Sequence, residues 1–254
     1  MYHLFTLIFL QPILNLLVWL YNVVPGHDIG IAIILLTIIV KAILYPLTAK
    51  QIKQQRALQE VQPKIQEVRE KFKNDKEAQA RELMQLYSRE KVNPAASCLP
   101  LLIQLPVFIA LYQALTLGLG SKSLDLLYSF VANPQSIDTR LFGFLDLSHP
   151  NYFLAIAAAL VQFVQTRQIL KPPANASITS PPPEVAKVPG AKDEAMATMM
   201  NKQMMYLMPI MTAFIGFSLP GGLTLYWLVM SLLTVLQQWW FLKQAPPKMR
   251  PQLQ

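Results

Sequence analysis

Residues 29–48, IGIAIILLTIIVKAILYPLT, carry one charge, Lys41, in an otherwise apolar run. About twenty apolar residues are what a helix needs to cross a hydrocarbon layer ~30 Å thick. Comparable runs recur at 4–24, 97–117, 151–170, 203–219 and 221–242, with polar stretches between them. Charge is sorted the same way. Residues 1–49 hold only Asp28 and Lys41, whereas residues 50–91 hold eleven Lys or Arg and seven Asp or Glu. Charged residues make up 14% of the chain, where a soluble domain averages about a quarter. The pattern predicts an all-α polytopic membrane protein and excludes a soluble domain built on one core.

The runs divide the chain. Residues 1–27 contain a helix in which Gln11, Asn15 and Asn22 fall near one face. That face predicts an amphipathic helix lying at the membrane interface, with Trp19 and Tyr21 at headgroup level and Pro25-Gly26 ending it. The first core span is 28–48. Over 49–96, Leu58, Val61, Ile65, Val68 and Phe72 repeat at spacings of three and four. Asn74 or Asp75 can then cap a second helix bearing Leu83, Leu86 and Tyr87, which predicts a helical hairpin. A second span at 97–117, an external loop at 118–150 and a third span at 151–170 follow. Residues 171–202 are too rich in proline and small polar residues to form a core. Spans four and five share 203–242, separated by Pro220-Gly221-Gly222, and 243–254 is a basic tail.

Basic residues set the orientation, because cytoplasmic loops are enriched in Lys and Arg. The hairpin has eleven, the proline-rich loop and its flanks five (Arg167, Lys171, Lys187, Lys192 and Lys202), the tail three (Lys243, Lys248 and Arg250) and the loop at 118–149 two (Lys122 and Arg140). With five spans, the first three fall on one side. The hairpin and C-terminus are therefore expected in the cytoplasm and the N-terminal helix outside. The first forty residues lack Lys and Arg, so no basic region of a cleavable signal is seen. A net charge of +8 with basic residues flanking apolar runs fits lipid and ribosome proximity rather than specific nucleic acid.

Lys41 is the first functional candidate, since a charge inside a span costs about 2.5–3.5 kcal/mol on insertion scales unless it snorkels, pairs or meets water. Snorkelling to the near end of the span is one reading and lining a hydrated cavity is the other. Asp28, Asp125 and Asp146 all lie in external segments, so no span offers an acid. Thr37 shares a helix face with Lys41. Gln104, Gln113, Gln162 and Gln165, with Tyr226 and Trp227, add polar groups that serve either helix packing or a polar groove. Seven methionines from Met196 to Met211 suit span packing or a surface accepting varied apolar partners. One cysteine, Cys98, excludes an internal disulfide, and His3, His27 and His149 are too scattered for a metal site. No nucleophile triad, HExxH or phosphate-binding glycine loop is present. Nothing suggests an enzyme, a metal or a cofactor.

GIAIILLTIIVKAILYPLT, LQEVQPKIQEVREKF, KVNPAASCLPLLIQLPVFIALY and LPGGLTLYW occur in this order. Together they resemble the YidC/Oxa superfamily of membrane protein insertases from about Gln11 to Gln238, and the NP-x-x-x-C-L-P-L-L-I-Q-x-P string is specific. The resemblance implies a five-span core around a hydrophilic groove, acting on nascent membrane proteins at the bilayer of a bacterial plasma membrane. It also implies the ribosome and the Sec translocon as partners, and no nucleotide. The family's groove residue, usually arginine, falls at Lys41, which keeps the charge but loses the planar fork. Thr37 and Trp227, with Tyr226 beside it, match groove or client-contact positions. The family's polar residue in the third core span matches Gln162 or Gln165. The large external domain, the extra first span and the lipoprotein cysteine of some members have no counterpart in this sequence, nor has the long basic C-terminal extension of others.

Overall fold

A computed structural model describes residues 2–93, 99–118, 126–170 and 206–244. The proline-rich loop, Cys98, most of the methionines and the tail from 245 on lie outside them. The architecture is mostly helical. The first helix runs on through three stretches, Tyr2–Phe5, Thr6–Leu10 and Gln11–Val23, together α1. Thr6–Leu10 is π-helical, with the Gln11 N–H donating to the Thr6 carbonyl. Pro12 explains the widening, because its ring cannot sit over the carbonyl one α-turn back. Val24 is extended, and Gly26 and His27, with φ of 80° and 51°, turn the chain.

Asp28 starts the next helix, α2 (Ile29–Ile43), by accepting the N–H groups of Gly30 and Ile31. The run read as one span to Thr48 then breaks at Leu44. A new helix, α3 (Tyr45–Lys71), departs at 67°. Pro46 accounts for the break, since it removes an N–H and its ring clashes with the carbonyl one turn back, whereas it is well tolerated in the first turn of the new helix. Helix α4 (Lys76–Arg89) is capped by Asp75, which accepts from Glu77 and Ala78. Val61 and Ile65 of α3 close on Leu86 of α4 and on Val92, with Leu58, Val68, Leu83 and Tyr87 around them. The heptad-like seam is thus the contact between these two helices.

The remaining elements are α5 (Leu99–Gly118), a two-stranded hairpin β1 (Arg140–Leu141) and β2 (Leu145–Asp146), α6 (Tyr152–Leu170), α7 (Tyr206–Gly216) and α8 (Gly221–Gln244). Helix α8 packs along α6, α2 and α5, while α1 packs on α2 and α5. The core joins Leu14 and Val18 of α1, Ile33 and Leu36 of α2, Leu111 of α5 and Leu223 and Tyr226 of α8, all at most 2% exposed. Beside it, a Cβ on Gly216 would lie 2.8 Å from the Ala155 Cβ, so α6 and α7 touch at two of their smallest residues.

By length and hydropathy alone, His3–Val23 qualifies as a membrane span with less than half of it buried. Ile29–Ile43 and Tyr45–Lys71 qualify only as a bent pair, and Ile103–Thr116 and Tyr206–Gly216 are shorter apolar helices. The polar face of α1 has a definite use. Gln11 and Asn15 both donate to the Leu126 carbonyl (3.2 and 3.0 Å), Asn15 accepts the Tyr128 N–H (2.6 Å), and Asn22 donates to the Ala132 carbonyl (2.7 Å). Tyr21 is buried and its hydroxyl accepts the Asp138 N–H at 2.9 Å. The face expected to meet headgroups instead holds a loop.

Candidate functional site

Helix α8 has a polar stripe at Thr224, Ser231, Thr234 and Gln238, at spacings of seven, three and four and so on one side of the helix. Its neighbours bring polar side chains to it. Lys41 of α2 donates from Nζ to Thr234 Oγ1 at 2.9 Å, and the Thr234 hydroxyl in turn donates to the Met230 carbonyl at 2.8 Å. From α6, Gln162 accepts a bond from Ser231 at 3.3 Å. Ser231 and Thr234 are three residues apart, so α2 and α6 reach one stretch of α8 from two sides. The fold thus assembles Lys41 and Gln162 around residues that sequence reasoning did not single out. The stripe itself was the missed signal.

The other candidates separate by role. Thr37 is fully buried, with its hydroxyl spent on the Ile33 carbonyl at 2.6 Å. Tyr226 is buried in the core and accepts a hydrogen bond from Gln104 of α5. Trp227 is partly buried with its ring edge against Phe108, centroids 5.8 Å apart. Gln165 differs from Gln162, because its Oε1 is buried without a hydrogen-bond partner. The same holds for one oxygen each of Gln113, Gln168 and Gln238 and for Gln51 Nε2. A buried polar atom left unmatched costs about 1–3 kcal/mol, and most native ones find a protein group or water. Among the described residues Lys41 pairs with no carboxylate, and no three His, Cys, Asp or Glu side chains converge as metal ligands.

The root of α3 closes the stripe at its far end. Gln237 donates to Thr48 at 3.0 Å, and the Tyr45 ring stacks on Phe241. Arg56 donates to the carbonyls of Gln238 and Phe241, each at 3.0 Å, and Phe241 is among the last four residues of α8, whose carbonyls lack helical partners. Burial lowers the Arg56 pKa and Glu60 opposes the shift, but a guanidinium stays charged at any physiological pH.

This is a helical membrane-protein architecture with a lysine-bearing polar seam between packed helices. A family model described as "60Kd inner membrane protein" matches residues 19–248. The membrane protein insertase YidC of Nitratidesulfovibrio vulgaris (strain DP4) is 35% identical over 236 residues, covering 92% of this chain and 38% of that protein. Those of Geobacter metallireducens and Neisseria meningitidis serogroup B (strain MC58) are 36% and 37% identical, over 90% and 91% of this chain and 35% of each relative. The fold is similar to a crystal structure of an active YidC insertase with its first transmembrane domain resolved. The TM-score is 0.58 at 24% identity, over 87% of this chain and 43% of that one. The chain belongs to the 60Kd inner membrane protein family, the YidC/Oxa superfamily. It spans less than two fifths of the length of these curated relatives.

Proposed function

We propose that this chain is a membrane protein insertase and chaperone that moves client transmembrane segments from the cytoplasm into the bilayer, without nucleotide hydrolysis. The observation that carries the reading is Lys41, held in the last turn of an apolar helix by the hydroxyl of Thr234 and by no carboxylate among the described residues. A lysine placed so is free to attract a client's acidic tail, and the attraction strengthens as the local dielectric falls. The unmatched amide atoms of Gln165, Gln168 and Gln238 support water or client backbone reaching the seam. Thr37 and Tyr226 shape the wall, Trp227 offers an amphipathic ring, and Gln162 and Gln165 are the polar candidates from α6, of which Gln162 bonds Ser231. The client's apolar segment then partitions into lipid, which drives the step.

In this reading five spans form the core, the chain sits in a bacterial plasma membrane, and α1 lies at its outer face. The α3–α4 hairpin and C-terminus are cytoplasmic, where nascent chains, the ribosome and the Sec translocon are met. The test is protease protection of a short-tailed, single-span client in liposomes containing only this protein. Wild type and Lys41→Arg are expected to protect the client's tail, and Lys41→Ala to lose most of that protection. Equal protection by all three would remove the charge from the mechanism. No protection above empty liposomes by folded protein would leave an accessory role in assembly.

A further inference from the structure

The strands β1 and β2 are two residues each, yet their position is closely fixed. Asp28 Oδ2 accepts the Phe142 N–H at 2.5 Å while its other oxygen caps α2. Leu141 lies so near α2 that a Cβ on Gly30 would stand 2.4 Å from its Cδ1. Just beyond the hairpin, the carbonyls of Leu147 and His149 accept the N–H groups of Gly222 and Gly221, both at 2.9 Å. The first turns of α2 and α8 are thus bonded to one ledge, and α6 begins three residues past His149. The hairpin tip cannot lie far above or below these helix ends.

The tip is apolar. Phe142 and Phe144 are 63% and 78% exposed and stack on each other, with Arg140 and Asp146 paired across the strands at the base. Phe142 has φ of 53°, an uncommon conformation for a bulky residue. Local strain of this kind persists where the surroundings enforce it and often marks function. Tyr152 and Phe153, opening α6, are also exposed. Tyrosine at helix-end level is characteristic of the interfacial layer of a bilayer, and phenylalanine is among the apolar residues that interfacial segments bury at the headgroup boundary.

We propose that the Phe142–Phe144 tip is a membrane anchor, inserted among the lipid headgroups where α2 and α8 begin, so that it fixes the depth of the helices in the bilayer. The inference rests on α2, α6 and α8 crossing the bilayer, and it concerns a surface separate from the Lys41 seam. A phenylalanine pair in water would gain nothing from the strain at Phe142, whereas each ring moved into the interface buries apolar area and is held there by a backbone already tied to two helix ends.

The test uses the full chain with Cys98→Ser, carrying a single cysteine labelled with an environment-sensitive fluorophore at Phe144→Cys, Ser136→Cys or Leu160→Cys, in phosphatidylcholine vesicles. Quenching by lipids spin-labelled near the headgroup is compared with quenching by lipids spin-labelled near the chain end. The label at 144 should emit blue-shifted relative to 136 and lose intensity chiefly to the headgroup quencher. The label at 160, on an exposed side of α6, should respond chiefly to the chain-end quencher. A deep label at 160 with an unquenched label at 144 overturns the anchor and leaves the spans standing, even if 144 is blue-shifted by contact with protein. An unquenched 160 would overturn the spans and the anchor together. Unchanged thermal midpoints for the labelled variants would confirm that each is folded.

Discussion

The ledge at 126–149 and the seam around Lys41 differ in how they satisfy polar groups. On the ledge, backbone groups meet backbone or short side chains: Asp28 takes three N–H groups, Asn15 bridges Leu126 and Tyr128, and Leu147 and His149 receive the start of α8. In the seam, long side chains meet single hydroxyls, and several glutamine atoms meet nothing. A fully bonded region has one arrangement and resists change, whereas a region with spare donors and acceptors can exchange partners at small cost. The molecule therefore closes one end of its helices with satisfied bonds and leaves spare donors and acceptors in the seam between them.

The largest expected break in this contrast is steric. Gly30→Val places new carbon against Leu141 Cδ1 and Cβ, at 2.4 and 2.7 Å for the first atom alone. Overpacking of this kind should cost about 3 kcal/mol, read as a lowered unfolding midpoint in detergent. Asp28→Ala should follow at about 2 kcal/mol, since it removes a helix cap and the hydrogen bond to the Phe142 N–H. If both changes proved neutral, the satisfied bonds of the ledge would not make it resist change.

How much of this was legible beforehand depends on the distance over which each signal acts. Lys41 stood out because a charge is conspicuous in an apolar run, and the α3–α4 contact followed from local spacing. The use of Gln11, Asn15 and Asn22 did not, because their partners lie more than a hundred residues away. The right face was visible and the wrong neighbour was inferred. The break at Leu44 was signalled by Pro46, but apolar composition continued to Leu47 and masked it. Strands as short as β1 and β2 carry no periodicity, and Asp28 and the neighbouring helix ends impose them. Thr234 and Ser231 are not conspicuous in sequence, because a hydroxyl in an apolar helix can bond its own backbone, as Thr234 also does with Met230, and only the fold brings Lys41 and Gln162 to them.

On the seam the sign should reverse. Gln165→Leu removes a buried oxygen that has no partner, so stability should hold or rise by about 1 kcal/mol, while client insertion falls. A variant both less stable and fully active would mean that Gln165 is packing rather than path. Gln162→Leu is the sharper companion, because it strips Ser231 of its acceptor and should lose about 1 kcal/mol instead.

The smallest effect belongs to acid. On the ledge, the Ser148 hydroxyl and N–H, joined by His149 and Thr139, hold the Asp146 carboxyl well below the usual carboxylate range. The folded state therefore binds this proton less readily than the unfolded chain, whose aspartate titrates near ~3.9. The stabilisation is complete above about pH 5 and drains away as the pH falls through the unfolded value toward the folded one. Asp146 is largely open to solvent, and screening should leave only a few tenths of a kcal/mol. Asp146→Asn should be slightly less stable than wild type at pH 6, with the gap narrowing from about pH 5 to pH 3. A gap that stayed constant would mean that the turn depends on side-chain shape and not on the carboxylate charge. That would place the strength of the ledge in its backbone bonds alone.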